Sequence, residues 1–289
     1  MDDRREARIE EFAAALAAAA PLLVLTGAGI SAGSGIPTYR DGDGRWLRSD
    51  PITHRQFVDS GRQRQRYWGR SALGWPAVSR ARPGAAHRAL ATLETAGLLA
   101  GLVTQNVDRL HQGAGSRRVI DLHGRLDRVR CLACRRLTPR AALQQRLLAL
   151  NPFLDRPLSG PRPDGDADLD EAEVDAVRVP HCEGCGGTLM PDVVFFGGRI
   201  PAARLRRGER ALDAARGLLV VGSSLQVYSG YRYCRQAQAR GQPLFLLNPG
   251  VTRADPLATA RLAAPAETAL PALLPRLVAA APPREAAAP

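Results

Sequence analysis

Short runs of apolar residues punctuate the chain at 22–26, 101–104, 119–122, 218–222 and 244–248. Continuous apolar runs of four or five residues fit strands buried on both faces of a parallel sheet. Between several of them, as at 87–96 and 230–240, apolar positions recur at helical spacing. This alternation predicts an α/β protein with a Rossmann-type, doubly wound parallel sheet. From about 129 to 188 it is interrupted by paired cysteines, and 45–82 is helical in character and rich in Trp, Tyr and Arg. The pattern therefore predicts one domain over 1–289. Its large lobe comprises 1–44, 86–127 and 190–289, and its smaller inserted lobe has a helical part at 45–85 and a cysteine-bearing part at 128–189. The acidic segment 159–175 reads as an exposed loop followed by a short helix, and the tail 281–289 as disordered.

The polar residues cluster at the ends of the predicted strands. The first strand runs into Gly27-Ala28-Gly29, then Ser31 and Ala32. Gly27, Gly29 and Ala32 fit the G-x-G-x-x-G/A dinucleotide fingerprint, in which glycines admit a phosphate to the backbone and the next helix N-terminus favours its charge. The second strand and ribose-binding acid of that fingerprint are missing, because 36–44 (IPTYRDGDG) reads as a loop. The stretch is therefore either a dinucleotide site under an unusual loop or a glycine-rich turn of an ordinary α/β protein. Further clusters follow at Thr104-Gln105-Asn106-Val107-Asp108, Gly222-Ser223-Ser224 and Asn248-Pro249-Gly250. Ligands of open α/β sheets sit outside such strand ends. His123 follows the third strand, where an imidazole suits general-base work. His87 and His111 fall on predicted helices and read as structural.

Composition narrows the class. The chain has 289 residues, 45% of them hydrophobic, enough for a sizeable core. Its formal charge is +12, and every one of its 40 basic residues is arginine, the signature of a GC-rich bacterial coding bias. No long basic run interleaved with aromatics occurs, so the charge reads as a scattered solvated surface, not a nucleic-acid site. No apolar run reaches membrane-spanning length, and acidic residues precede the apolar stretch at 12–25, which argues against a signal peptide and for a cytoplasmic protein. Cys131-x-x-Cys134 and Cys182-x-x-Cys185 read as a structural four-cysteine zinc site, with 47 residues between the pairs as an insertion. Cys234 reads as a core residue.

Taken together, the blocks GAGISAGSGIPTYR (27–40), TQNVDRLHQGAG (104–115), DLHG (121–124), the two cysteine pairs, PDVVFFG (191–197), VGSSLQVYSG (221–230) and LNPG (247–250) resemble the sirtuins, NAD-dependent protein lysine deacylases. They span nearly the whole chain in family order, and QRYWGRSALGWP (65–76) resembles the class II branch. The resemblance implies roles. Gly27, Ala28, Gly29, Ser31 and Ala32 would line the NAD phosphates, and Pro37, Tyr39 and Arg40 would form a loop over the cofactor. Gln105, Asn106 and Asp108 would hold the nicotinamide ribose and carboxamide. Gly222, Ser223, Ser224, Asn248, Pro249 and Gly250 would contact the adenosine half, with Ala266 beside the adenine. Val107, Val194, Phe196 and Gly197 would border an acyl-lysine tunnel, the substrate peptide adding as a strand between the lobes.

The implied chemistry is attack of the acyl oxygen on the ribose as nicotinamide leaves. His123 then acts as base on a ribose hydroxyl, Asn106 positions ribose and water, and the products are free lysine and O-acyl-ADP-ribose. Gly33 and Thr38 depart from the family loop, where Glu and often Asp stand. Tyr67 and Arg70 have the Y-x-x-R spacing with which desuccinylating sirtuins bind an acidic acyl group, so an acidic or long acyl preference and a merely packing role are both open. The expected partner is acylated lysine in proteins, acted on by a monomer. Mono-ADP-ribosyl transfer in the same cleft and a non-catalytic NAD sensor are the alternatives; intact Asn106, Asp108 and His123 speak against the second.

Overall fold

The computed structural model describes residues 2–36, 51–157 and 169–280. Pro37, Thr38, Tyr39 and Arg40, the loop part of 159–175 and the tail 281–289 lie outside them. The main sheet contains β1 (Leu22–Thr26), β2 (Leu99–Thr104), β3 (Val119–Asp121), β7 (Gly217–Val221), β8 (Leu244–Leu247) and β9 (Ala260–Leu262). Its order is β3-β2-β1-β7-β8-β9, and every neighbouring pair is parallel. Chain order therefore reverses beside β1, between β1 and β7, where open α/β sheets form their ligand crevice.

The continuous apolar runs have a plain cause. Leu22 and Val24 face one helical layer, formed by α1 (Asp2–Ala18), α4 (Ala85–Thr95) and α10 (Ala266–Ala279). Leu23 and Leu25 face the other, formed by α8 (Ala202–Asp213) and α9 (Tyr228–Ala239). Leu219 and Val221 on β7 and Phe245 and Leu247 on β8 join the first layer, while their neighbours Leu218, Val220, Leu244 and Leu246 join the second. Each fully buried leucine contributes about 1.5–3 kcal/mol, so both faces of the central strands hold the sheet. Cys234 is buried in the second layer, as its sequence context predicts.

A second, antiparallel sheet of order β5-β4-β6 contains β4 (Gly124–Cys131), β5 (Leu137–Pro139) and β6 (Leu189–Val193). Its core is shared with three helices, α2 (His54–Asp59), α3 (Gly61–Arg80) and α6 (Arg140–Leu150): Phe57, Trp68 and Leu73 pack with Leu143 and Leu147 of α6 and with Val129 and Met190 of the sheet. Thr53 and Gln56 form a capping box at the start of α2, and Ser60 caps α3 through Gln63 N at 3.3 Å. The predicted short helix in the acidic segment is α7 (Glu171–Ala176), capped by Asp170. Between these lie the single-turn α5 (Leu110–Gly113) and α6 (Arg140–Leu150). Among the described residues no helix is long and apolar enough to cross a membrane.

Candidate active site

At the crevice the ends of β1 and β7 meet backbone to backbone. Gly27 N donates to Val221 O at 3.1 Å and Gly29 N to Gly222 O at 2.8 Å. A Cβ on Gly27 would lie 2.7 Å from Ser223 Cβ, and one on Gly222, whose φ is +60°, would lie 2.5 Å from Ile30 N. Among the described residues 27–36 no α-helix begins after these glycines. Ala28–Ile30 and Ala32–Ser34 are single 3-10 turns, the second closed by Gly35 in the left-handed conformation. Closely spaced glycines break the helix. The loop therefore offers an anion the amides of two short turns, not a helix terminus.

Ser31, fully buried, joins this loop to the end of β2. Its hydroxyl donates to Asp108 Oδ2 at 2.7 Å and accepts from Asn106 Nδ2 at 3.0 Å. The Asn106 amide also donates to Gly27 O at 3.1 Å, and Asp108 Oδ1 accepts from Leu110 N at 2.9 Å. Both side chains are thus fixed in orientation by the protein's own groups. Beneath them lie the two histidines read as structural. His87 Nδ1 accepts from Gly84 N at 3.2 Å, so its Nε2 carries the proton and faces Ser31 Oγ at 3.4 Å. His111 Nε2 lies 2.9 Å from Thr26 Oγ1, which itself donates to Thr104. Burial lowers the pKa of both rings, of His111 well below its ordinary value, and both are neutral at neutral pH. His87 therefore supports Ser31 directly, a contact that its place on a predicted helix did not signal.

Gln105 ties four elements together. Its side chain donates to Ser223 Oγ at 2.8 Å, its amide N–H to Thr26 O at 3.0 Å, and its carbonyl faces His123 Nδ1 at 3.0 Å. Gly230 on α9 leaves it room, since a Cβ there would approach Gln105 Oε1 to 2.7 Å. His123 stands where the chain leaves the main sheet for the antiparallel one. The next residue, Gly124, has φ +93°, and a Cβ on it would lie 2.1 Å from Asp192 O. Burial pushes the His123 pKa down to about 4, opposed by the Gln105 carbonyl and aided by the charge of Arg204. A carbonyl only accepts, so Nδ1 carries the hydrogen and Nε2 is bare, with Ser229 Oγ at 2.8 Å from it. Sequence reasoning gave no role to Ser229, although it lies within the block 221–230, and passed over Arg204, which lies in no such block.

The other expected contacts spread along the same edge. Ser223 Oγ accepts from Leu225 N at 3.3 Å, and Ser224 O from Arg253 N at 3.0 Å. Asn248 Nδ2 donates across Pro249 to Gly250 O at 2.9 Å. Ala266 is buried in the first turn of α10. On the opposite side of His123, Val194 N donates to its carbonyl at 2.7 Å, and Phe196 O accepts from His54 N at 2.8 Å, with Gly197 left-handed beyond it. Val107 is buried with Val78 and Leu126. Tyr67 packs its ring against Phe57, Trp68 and Phe195, and Arg70, partly buried, follows three residues later on α3.

The four paired cysteines converge. The ligand atoms of Cys131, Cys134, Cys182 and Cys185 all lie within 4.8 Å of one another. Two tight turns bring them there. Cys131 N donates to Arg136 O and Cys182 N to Gly187 O, both at 2.9 Å, with Arg135 and Gly186 left-handed. Gly187 keeps a side chain away from the sulfurs, since its Cβ would sit 2.9 Å from Cys131 Sγ. Backbone N–H groups, first that of Cys134, pull the Cys131 thiol down to about 6. Four sulfurs at this spacing fit one tetrahedral zinc ion and leave no open coordination position for chemistry.

Comparison with known proteins agrees with this geometry. The Sir2 family model matches residues 27–229. An NAD-dependent protein deacetylase of Xanthomonas axonopodis pv. citri is 53% identical over 241 residues, covering 83% of this chain and 82% of the relative. One of Bordetella pertussis is 46% identical over 273 residues, covering 94% of this chain and all (100%) of the relative. Among solved structures, a Sir2 protein with a p53 peptide and NAD+ superposes with a TM-score of 0.74 at 28% identity, covering 91% of this chain and 95% of that one. A structure describing the mechanism and regulation of Sir2 enzymes superposes with a TM-score of 0.73 at 31% identity, covering 94% and 98%.

Proposed function

The chain belongs to the Sir2 family, and from that premise we propose that it is an NAD-dependent protein lysine deacylase. The reading rests chiefly on one observation: Ser31, Asn106 and Asp108 are locked together at the strand-order crevice while His123, neutral and with Nε2 bare, stands beside Gln105. NAD supplies the ribose that takes up the acyl group as nicotinamide departs. The glycine loop and Ser223, Ser224, Asn248 and Gly250 hold its phosphates and adenosine half. Asn106 and Asp108 orient the nicotinamide ribose, and such fixed placement supplies several kcal/mol toward reaction. His123 Nε2 accepts a proton from a ribose hydroxyl, which then attacks the acyl carbon. The acyl-lysine enters between Val107 and Val194–Phe196, its backbone pairing as an added strand. Zinc, held by Cys131, Cys134, Cys182 and Cys185, keeps the smaller lobe folded and takes no part in the chemistry.

The same reading includes a cytoplasmic monomer that acts on acylated lysines in proteins and not on nucleic acid. It also assigns Tyr67 and Arg70 to the far end of the acyl site, where a guanidinium suits a carboxylate. The test is incubation with NAD and acetyl-, glutaryl- and hydroxymethylglutaryl-lysine peptides, with mass-spectrometric detection of O-acyl-ADP-ribose. Wild type forms it, and His123→Ala forms none above background. ADP-ribose transferred to protein instead, or equal rates in the two, overturns the reading. For the acyl site, Arg70→Ala lowers turnover of the acidic acyl peptides by about 10- to 100-fold while sparing acetyl, the size expected for one charge-assisted hydrogen-bond pair. An unchanged acyl preference removes that assignment.

A further inference from the structure

His123 is held at both nitrogens. Nδ1–H donates to Gln105 O at 3.0 Å, so the hydroxyl of Ser229, 2.8 Å from Nε2, is the donor of the second bond. Ser229 lies in the first turn of α9, and the next residue, Gly230, closes against the Gln105 side chain. One turn of helix therefore touches both the ring and the other residue that holds it, Gln105. A serine hydroxyl has one hydrogen and two lone pairs. It can donate to a neutral ring and, after rotating about its Cβ–Oγ bond, accept from a protonated one.

The second state matters because the site disfavours it. Burial opposes a charged imidazole, and the charge that bears on His123, Arg204 of α8, has the same sign, although Asp192 of β6 lies 3.7 Å from Arg204. We propose that Ser229 is a positioning residue for proton transfer: its hydroxyl donates to the single Nε2 lone pair of the neutral ring, turns its hydrogen away to free that lone pair as the ribose hydroxyl approaches, and accepts the Nε2 hydrogen bond when the ring takes a proton. In that step the ribose O–H bond breaks, the Nε2–H bond forms, and the electron pair stays on the ribose oxygen. The inference rests on the proposed role of His123 and assigns a residue that role does not require.

The experiment uses the zinc-loaded full chain with acetyl-lysine peptide and NAD. Two rates are measured: exchange of labelled nicotinamide into NAD, which precedes the proton transfer, and formation of O-acetyl-ADP-ribose, which follows it. Ser229→Ala slows product formation by about three- to ten-fold, the loss of one hydrogen bond, and leaves exchange within two-fold. Ser229→Thr, which keeps the hydroxyl, restores product formation. Nitrogen NMR of the wild-type ring at neutral pH finds the Nδ1–H tautomer, and Ser229→Ala shifts Nε2 alone. Wild-type product formation in Ser229→Ala, a parallel fall in both rates, failure of threonine to rescue, or a ring protonated at Nε2 would each overturn the proposal. If His123→Ala makes product at the wild-type rate, the reading of His123 itself fails, a separate outcome.

Discussion

Gly29 N donates to Gly222 O at 2.8 Å where the loops after β1 and β7 meet, with no room for a side chain on either residue. Gly222→Ala combines overpacking, about 1–3 kcal/mol, with a left-handed conformation that costs about 1–2 kcal/mol. Urea denaturation is expected to show a loss of about 2–5 kcal/mol, and calorimetry to show weakened NAD binding. A variant as stable as wild type would mean that the loops separate at little cost.

Gly33 has a structural partner that explains its lack of a side chain. A Cβ there would lie 2.9 Å from Glu267 Cδ, and Glu267 accepts hydrogen bonds from Ala85 N at 2.7 Å and Ala86 N at 3.3 Å, where an anion stabilises the start of α4. The carboxylate from α10 thus fills the space beside the loop. Gly33→Glu is expected to destabilise by about 1–3 kcal/mol through crowding and like charge, and Glu267→Ala in the same chain to recover part of that loss. A double-mutant cycle checks this, and strict additivity would argue against it.

The buried histidines give stability a defined pH dependence. His87, His111 and His123 all have pKa values lowered by burial, His123 to about 4 from 6.5. Below pH 6.5 the unfolded chain binds protons that the folded chain refuses, so their contribution is complete above 6.5 and falls away as pH drops toward the folded values. For His123 alone the window is 6.5 to 4 and the loss about 3 kcal/mol. Denaturation between pH 7.5 and 4.5 should show a steep decline for wild type and a shallower one for His123→Ala. Parallel curves would refute the link.

The cysteine cluster predicts one zinc per chain. Structural zinc binding of about 10–16 kcal/mol in zinc-finger peptides is comparable to the whole stability of a domain, about 5–15 kcal/mol. Native mass spectrometry is expected to find a single zinc ion. A strong chelator or Cys134→Ser should melt the smaller lobe, lower the thermal midpoint and abolish activity. Metal-free protein with an unchanged melting curve would remove the site.

Much of the fold could be read in the chain because β1, β7 and β8 are apolar at every position or nearly so, and burial on both faces demands that pattern. Strands exposed on one side or charged were missed. β9 reads Ala260-Arg261-Leu262 at the sheet edge, β4 is crossed by Arg125, Asp127, Arg128 and Arg130, and β6 contains Pro191. The site divides the same way. Glycines and the Gln105–Asp108 cluster announce themselves at strand ends, whereas Ser229, Glu267 and His87 act through contacts between elements distant in sequence, which no local spacing encodes.

Gln105 reaches toward Ser223 with its side chain and toward His123 with its carbonyl. The turn after β7 and the imidazole are therefore tied to one residue, whose amide N–H also bonds the end of β1. The spacing between that turn and the ring is in this way set by the fold itself, through a single glutamine.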